Sequence, residues 1–98
     1  MSYYSRVNKV VKDYFDKNGT HYIPNFNQLS SDEYNHILNI GTDIMLNYWD
    51  MNEYESGSFV TNLINNDLVG TFASADNINQ NCIRFYVMLK HNASLHSL

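Results

Sequence analysis

A chain of 98 residues and 11.4 kDa, 44% hydrophobic and 16% charged with a formal charge of −4, is sized for a single domain, because chains this short rarely support two cores. No run approaches the roughly 18 consecutive apolar residues of a membrane span, and the start Met1-Ser2-Tyr3-Tyr4-Ser5-Arg6 lacks the apolar stretch of a secretory signal, so a soluble protein of a reducing cytoplasm is expected. The one cysteine, Cys82, excludes an internal disulfide and a cysteine-rich zinc site.

The chain order predicts helices throughout. Val7, Val10, Val11, Tyr14 and Phe15 recur at i, i+3, i+4, i+7 and i+8, which predicts an amphipathic helix over residues 1–18 with Asn18-Gly19 as its stop. Residues 19–30 hold the only proline, Pro24, among Tyr22, Ile23 and Phe26, and read as an extended connector with its aromatics packed down. Ser31 before Asp32 and Glu33 predicts an N-cap, and Ile37, Ile40, Ile44, Met45 and Tyr48 carry a second helix. Gly41 inside it costs about 1 kcal/mol relative to alanine, which marks a kink, a close helix crossing or a break. After the turn at Ser56-Gly57-Ser58, Phe59, Val60, Leu63 and Ile64 predict a third helix from Ser58. Asn65-Asn66-Asp67 would cap a short fourth carrying Leu68, Val69, Phe72 and Ala73. Asp76 would cap a last one with Ile78, Cys82, Ile83, Tyr86 and Val87 on its buried side. The expected fold is an all-α bundle of four to five helices, a single domain with a helical core over 31–93 and a frayed tail at 94–98.

Charge is uneven along the chain. Residues 1–20 sum to +2 and residues 21–98 to −6, and Arg6, Lys9 and Lys12 fall every three residues along one side of the first helix. Six cations against ten anions disfavour nucleic-acid binding. Catalytic and metal chemistries find little footing. Cys82 falls on an apolar helical face and reads as core filler. His21, His36, His91 and His96 lack the spacing of paired ligands, and Asp50, Glu53 and Glu55 lack the alternation of a calcium loop. The four glycines form no phosphate loop, and Asn18-Gly19-Thr20 and Asn92-Ala93-Ser94 read as chance matches to the glycosylation pattern. No enzyme, cofactor or metal is expected. Eight tyrosines, five phenylalanines and one tryptophan exceed what so small a core needs, which directs attention to Tyr3, Tyr4, Tyr22, Trp49 and Tyr54 at helix ends and connectors.

The residues Gly57, Phe59, Asn66, Asp67, Leu68, Phe72, Ala75, Asp76, Asn79 and Asn92 match in register a pattern of Gly-Gly-Phe-Leu, Asn-Asp-Leu and Arg-Ala-Asp-x-x-Asn. Over about residues 45–93 the chain thereby resembles a family of short proteins of tailed phages and prophages. It departs from the pattern at Ser58, Ser74, Gln80 and His91, which removes two of its arginines. Physically, Gly57 would free a turn, Phe59 and Leu68 would anchor helices, and Asp67 and Asp76 would cap them. The resemblance implies a small helical phage protein, active in the host cytoplasm, and small phage proteins of this kind commonly disarm host defence.

The leading functional expectation is therefore a homo-oligomeric sponge for a nucleotide-derived immune signal such as a cyclic oligonucleotide or a cyclic ADP-ribose variant. Tyr3, Tyr4, Trp49 and Tyr54 would stack on bases, Asn66, Asp67 and Asn79 would read polar edges, and Arg6, Lys9, Lys12 and Arg84 would face phosphate. Two alternatives stand beside it. One is an acidic inhibitor of a host defence nuclease or effector, using Asp50, Glu53 and Glu55; the other is a self-assembling accessory protein without a ligand.

Overall fold

The computed structural model describes residues 3–52 and 55–93, and over these the chain forms five α-helices and no strand. They are α1 (Tyr3–Tyr22), α2 (Ser31–Tyr48), α3 (Ser58–Ile64), α4 (Leu68–Ser74) and α5 (Asn77–Asn92), with one 3₁₀ turn at Phe26–Gln28 between α1 and α2. The all-α expectation is met. Helix α2 lies at the centre and packs on α1, α5 and α3, while α4 packs on α3.

The core follows from the apolar spacing of the three long helices. Val7, Val11 and Phe15 of α1, Ile37, Ile44 and Met45 of α2, and Cys82, Phe85, Tyr86 and Leu89 of α5 are all but fully buried. Phe15 stacks on Tyr34 at 4.8 Å between ring centroids and meets Phe85 at 5.0 Å and Phe26 edge-on at 5.4 Å. Most of the aromatic side chains counted as a surplus are thus absorbed by the core: Phe15, Phe59, Phe85 and Tyr86 are buried, and Tyr14, Tyr22, Phe26, Tyr34 and Trp49 pack against them.

Helix α1 does not stop at Asn18-Gly19 but runs on to Tyr22. Gly19 is a helical residue in close approach: a Cβ there would collide with the Phe26 ring, so the glycine seats an aromatic of the connector. The stop is Pro24, which disfavours helix at Ile23 and brings the connector round to its 3₁₀ turn. The cap of α2 is Ser30, one residue earlier than Ser31. Its Oγ accepts from the Glu33 amide at 3.1 Å, and its own amide donates to Glu33 Oε1 at 3.0 Å, a reciprocal capping box.

Gly41 marks a crossing, not a kink or a break, since α2 is continuous through it. A Cβ at this position would lie 2.9 Å from Val11 Cγ1 and 3.2 Å from Leu89 Cδ2, so the glycine lets α1 and α5 close over α2. Two further expectations are corrected. Val87 is 48% exposed, outside the buried side of α5, and Gly57 has an ordinary φ of −65° with nothing near a Cβ, so no turn requires glycine there. The tail at 94–98 lies outside the described residues.

Candidate functional site

The ends of α2 and α3 are built the same way. Past the C-cap Trp49, Asp50 takes a left-handed φ of 57°; its amide donates to Asn47 O at 3.1 Å and the Met51 amide to Leu46 O at 2.7 Å. Past the C-cap Asn65, Asn66 takes φ of 61°; its amide donates to Leu63 O and the Asp67 amide to Asn62 O at 2.9 Å. Both are Schellman closures with a non-glycine residue in the left-handed seat. The first turns the chain back over α2 and so creates a cleft.

That cleft, about 330 Å³, is lined by Tyr4 of α1, by Asp43, Leu46 and Asn47 of α2, and by Met51, Asn52, Glu55, Ser56 and Gly57 of the returning segment. Asp43 and Asn47 share a face because they are four residues apart on one helix. The Asn47 amide nitrogen donates to Asp43 O at 2.8 Å and also to the Ser56 hydroxyl, which ties the returning segment to α2. Opposite, the Tyr4 hydroxyl donates to Asn39 Oδ1 at 2.8 Å, and Asn8 Nδ2 donates to Thr42 Oγ1 at 3.1 Å, holding α1 against α2.

The cleft has one sign of charge. Among the described residues, Asp43 and Glu55 line it and no Lys or Arg does. Asp43 is half-buried, and loss of water raises its carboxyl above the ordinary carboxylate range. Burial, followed by the nearby Asp43 charge, also raises the Tyr4 hydroxyl. Leu46 and Met51 supply an apolar wall. The arrangement suits a cationic group on an aliphatic stem.

Other candidate residues fall elsewhere. Tyr4 lines the cleft, whereas Tyr3, Arg6 and Lys9 are exposed on α1, Trp49 is partly buried at the end of α2, and Tyr54 and Glu53 lie outside the described residues. Lys12 is held by Asp16 at 2.7 Å, and the Arg84 guanidinium sits 5.3 Å from the Tyr22 ring centroid. None of Tyr3, Arg6, Lys9, Trp49 and Arg84 is among the residues that line the cleft. Asp43 and Asn47, central to the cleft, were not singled out by sequence reasoning. The available signal was an i, i+4 polar pair on the half-buried side of an amphipathic helix.

The residues of the Gly57–Asn92 pattern resolve largely into helix punctuation. Asn66 fills the left-handed seat and accepts from Lys90 Nζ at 3.0 Å; Asp67 accepts from the Gly70 amide at 2.9 Å; Asp76 accepts from the Asn79 amide at 2.7 Å and lies 3.1 Å from His36 Nε2. The Asn79 side chain is buried and accepts from the Tyr86 hydroxyl at 2.8 Å, so it braces α5 internally. Phe59 is buried edge-on against Tyr86. Leu68, expected as an anchor, is 69% exposed.

A second recess of about 290 Å³ lies between the connector, α2 and α5, with Cys82 at its edge. Cys82 is buried, and burial pushes its thiol up to about 12, which keeps it protonated near neutrality. Among the described residues no three His, Cys, Asp or Glu side chains stand together as a metal-binding group, and no helix is long and apolar enough to cross a membrane. In comparisons with known proteins, no family model, no curated protein and no solved structure matches this chain.

Proposed function

We propose that this protein acts by binding, without catalysis, and that it engages a cationic surface of another protein by taking an Arg or Lys side chain into the cleft beside Asp43. The observation that carries this reading is Asp43 itself. A carboxylate half-buried in a cleft with raised pKa is a liability to the fold alone, and an incoming guanidinium or ammonium offsets it. The sequence agrees in sign along the elements that supply most of the lining: no Lys or Arg stands between residues 18 and 83, where eight acids do. Such a field speeds encounter with a basic partner and rejects acidic ones. Taken with the resemblance to short phage proteins, the expected partner is a basic host defence nuclease or effector, inhibited when its nucleic-acid surface is covered.

The nucleotide-sponge reading draws on Arg6, Lys9, Lys12 and Arg84, none of which lines the cleft. It requires a second protomer to bring those cations around a shared pocket, and native mass spectrometry reads it directly as extra mass per protomer.

Affinity isolation from bacterial lysate tests the protein-binding reading, with wild type and an Asp43→Asn, Glu55→Gln double variant as baits. The expected result is a basic protein retained by wild type at low salt, released by half-molar salt and lost with the variant. Identical proteins on both baits, or retention indifferent to salt, would contradict it.

A further inference from the structure

The recess between the connector, α2 and α5 carries a different chemistry from the cleft. Its floor is aliphatic: Ile23 and Ile37 are buried, and Leu29 and Ile78 are half-buried beside them. Its rim is a set of four exposed amide side chains, Asn25 and Gln28 from the connector and Asn77 and Asn81 from α5. The backbone places both pairs. The Gln28 amide donates to Asn25 O at 2.8 Å and closes the connector's turn, while Asn77 and Asn81 stand one helical turn apart on one face of α5. None of the four makes a side-chain hydrogen bond to another described residue, whereas Asn8, Asn18, Asn39, Asn47, Asn62 and Asn79 each do.

The lining narrows what can sit there. Among the described residues no Lys, Arg or aromatic side chain lines the recess, so it offers no cation to a phosphate and no ring for a nucleobase to stack on. Its one carboxylate, Glu33, is already engaged, because Oε1 accepts the Ser30 amide in the capping box of α2. A plain hydrocarbon would suit the floor but would strip water from the rim amides without replacing its hydrogen bonds. The lining fits an uncharged chain that alternates N–H and C=O and carries an aliphatic side chain, since each Asn or Gln amide donates and accepts at once.

We propose that this recess binds a short extended peptide segment of another protein, with a Val, Leu or Ile side chain on the aliphatic floor and its backbone hydrogen-bonded to Asn25, Gln28, Asn77 and Asn81. Its volume, about 290 Å³, lies at the small end of the roughly 300–1,000 Å³ of ligand pockets, which suits one side chain with its flanking peptide groups and not a whole helix. The recess is separate from the Asp43 cleft and shares no lining residue with it. The two also differ in salt dependence. A neutral peptide held by amides is indifferent to salt, whereas capture of a cation beside Asp43 weakens as salt rises.

A backbone-amide NMR titration of the full chain with the blocked peptide acetyl-Ala-Leu-Ala-Ala-amide, at low and half-molar salt, tests the proposal. The same peptide with Ser in place of Leu removes the floor contact, and adenosine offers a nucleobase instead. The expected result is saturable shifts at Asn25, Gln28, Asn77 and Asn81 with a Kd of about 1 mM or tighter, unchanged by salt, at least fivefold weaker for the Ser peptide and absent with adenosine. An Asn77→Ala, Asn81→Ala variant should bind at least fivefold more weakly while keeping its helical circular dichroism, because both positions are exposed. Gln28→Ala, on the opposite wall and outside any long helix, gives the same reading independently of α5. No saturation up to about 10 mM, equal binding of the Leu and Ser peptides, binding that both variants leave intact, or adenosine saturating the recess would each overturn the proposal.

Discussion

At the scale of single residues, Gly41 and Asp43 stand two positions apart and do opposite things. Gly41 serves packing. A methyl group there meets Val11 and Leu89, both buried and neither free to swing away, so Gly41→Ala is expected to lose about 1–3 kcal/mol of packing against a gain of about 1 kcal/mol in helix propensity. Urea unfolding should show a net loss. On the proposed reading Asp43 serves binding at the expense of the fold, so Asp43→Asn should raise the melting midpoint while weakening partner binding at least tenfold. The pH dependence has a definite sign. The folded-state pKa of Asp43 is raised, so the penalty of its ionised form is fully present above that folded value. It fades as pH falls toward the ordinary value of 3.8. The stability gap between Asp43→Asn and wild type should therefore be largest at neutral pH and close under acid, as melts across pH would show. From the sequence, Gly41 was legible as an anomaly but its role was not, because a kink, a break and a crossing leave the same letter.

At the scale of elements, the sequence was most legible where a side chain caps its own helix. Asp67 and Asp76 could be read directly because a carboxylate accepting amides in the first turn is a local device. Asp76→Ala is expected to cost about 1 kcal/mol, with Asp76→Ser restoring most of it, measurable by thermal melts. The C-terminal closures were hidden, since left-handed Asp50 and Asn66 stand where glycine would have announced the turn. Asp50→Gly should stabilise the chain by about 0.5–1 kcal/mol, because a non-glycine left-handed residue carries roughly 1–2 kcal/mol of strain, partly offset by glycine's greater loss of freedom on folding. Helix α1 was underestimated for the converse reason. Gly19 looked like a stop, but its missing side chain receives Phe26, a contact seven residues away that periodicity does not report. The apolar spacing of α4 was visible too, yet spacing identifies a face without saying whether it turns inward, and here Leu68 and Val69 turn out.

At the scale of the whole molecule, hydrophobic periodicity in α1, α2 and α5 was enough to specify an all-α bundle, because three long helices bury most of the core between them. The cleft was not legible. It depends on the chain reversing at Asp50 and on Asn47 reaching Ser56, neither of which follows from composition. The charge segregation was legible, and two carboxylates of its acidic part, Asp43 and Glu55, line the cleft. The most direct test of binding through that cleft is a backbone-amide NMR titration of the full chain with a short arginine-rich peptide and, separately, with a cyclic dinucleotide. The expected result is saturable, salt-sensitive shifts with the peptide at Tyr4, Asp43, Asn47 and Ser56, abolished by Asp43→Asn, and none there with the dinucleotide. Peptide shifts that avoid the cleft, or saturable binding of the dinucleotide at Arg6, Lys9 and Arg84, would contradict it.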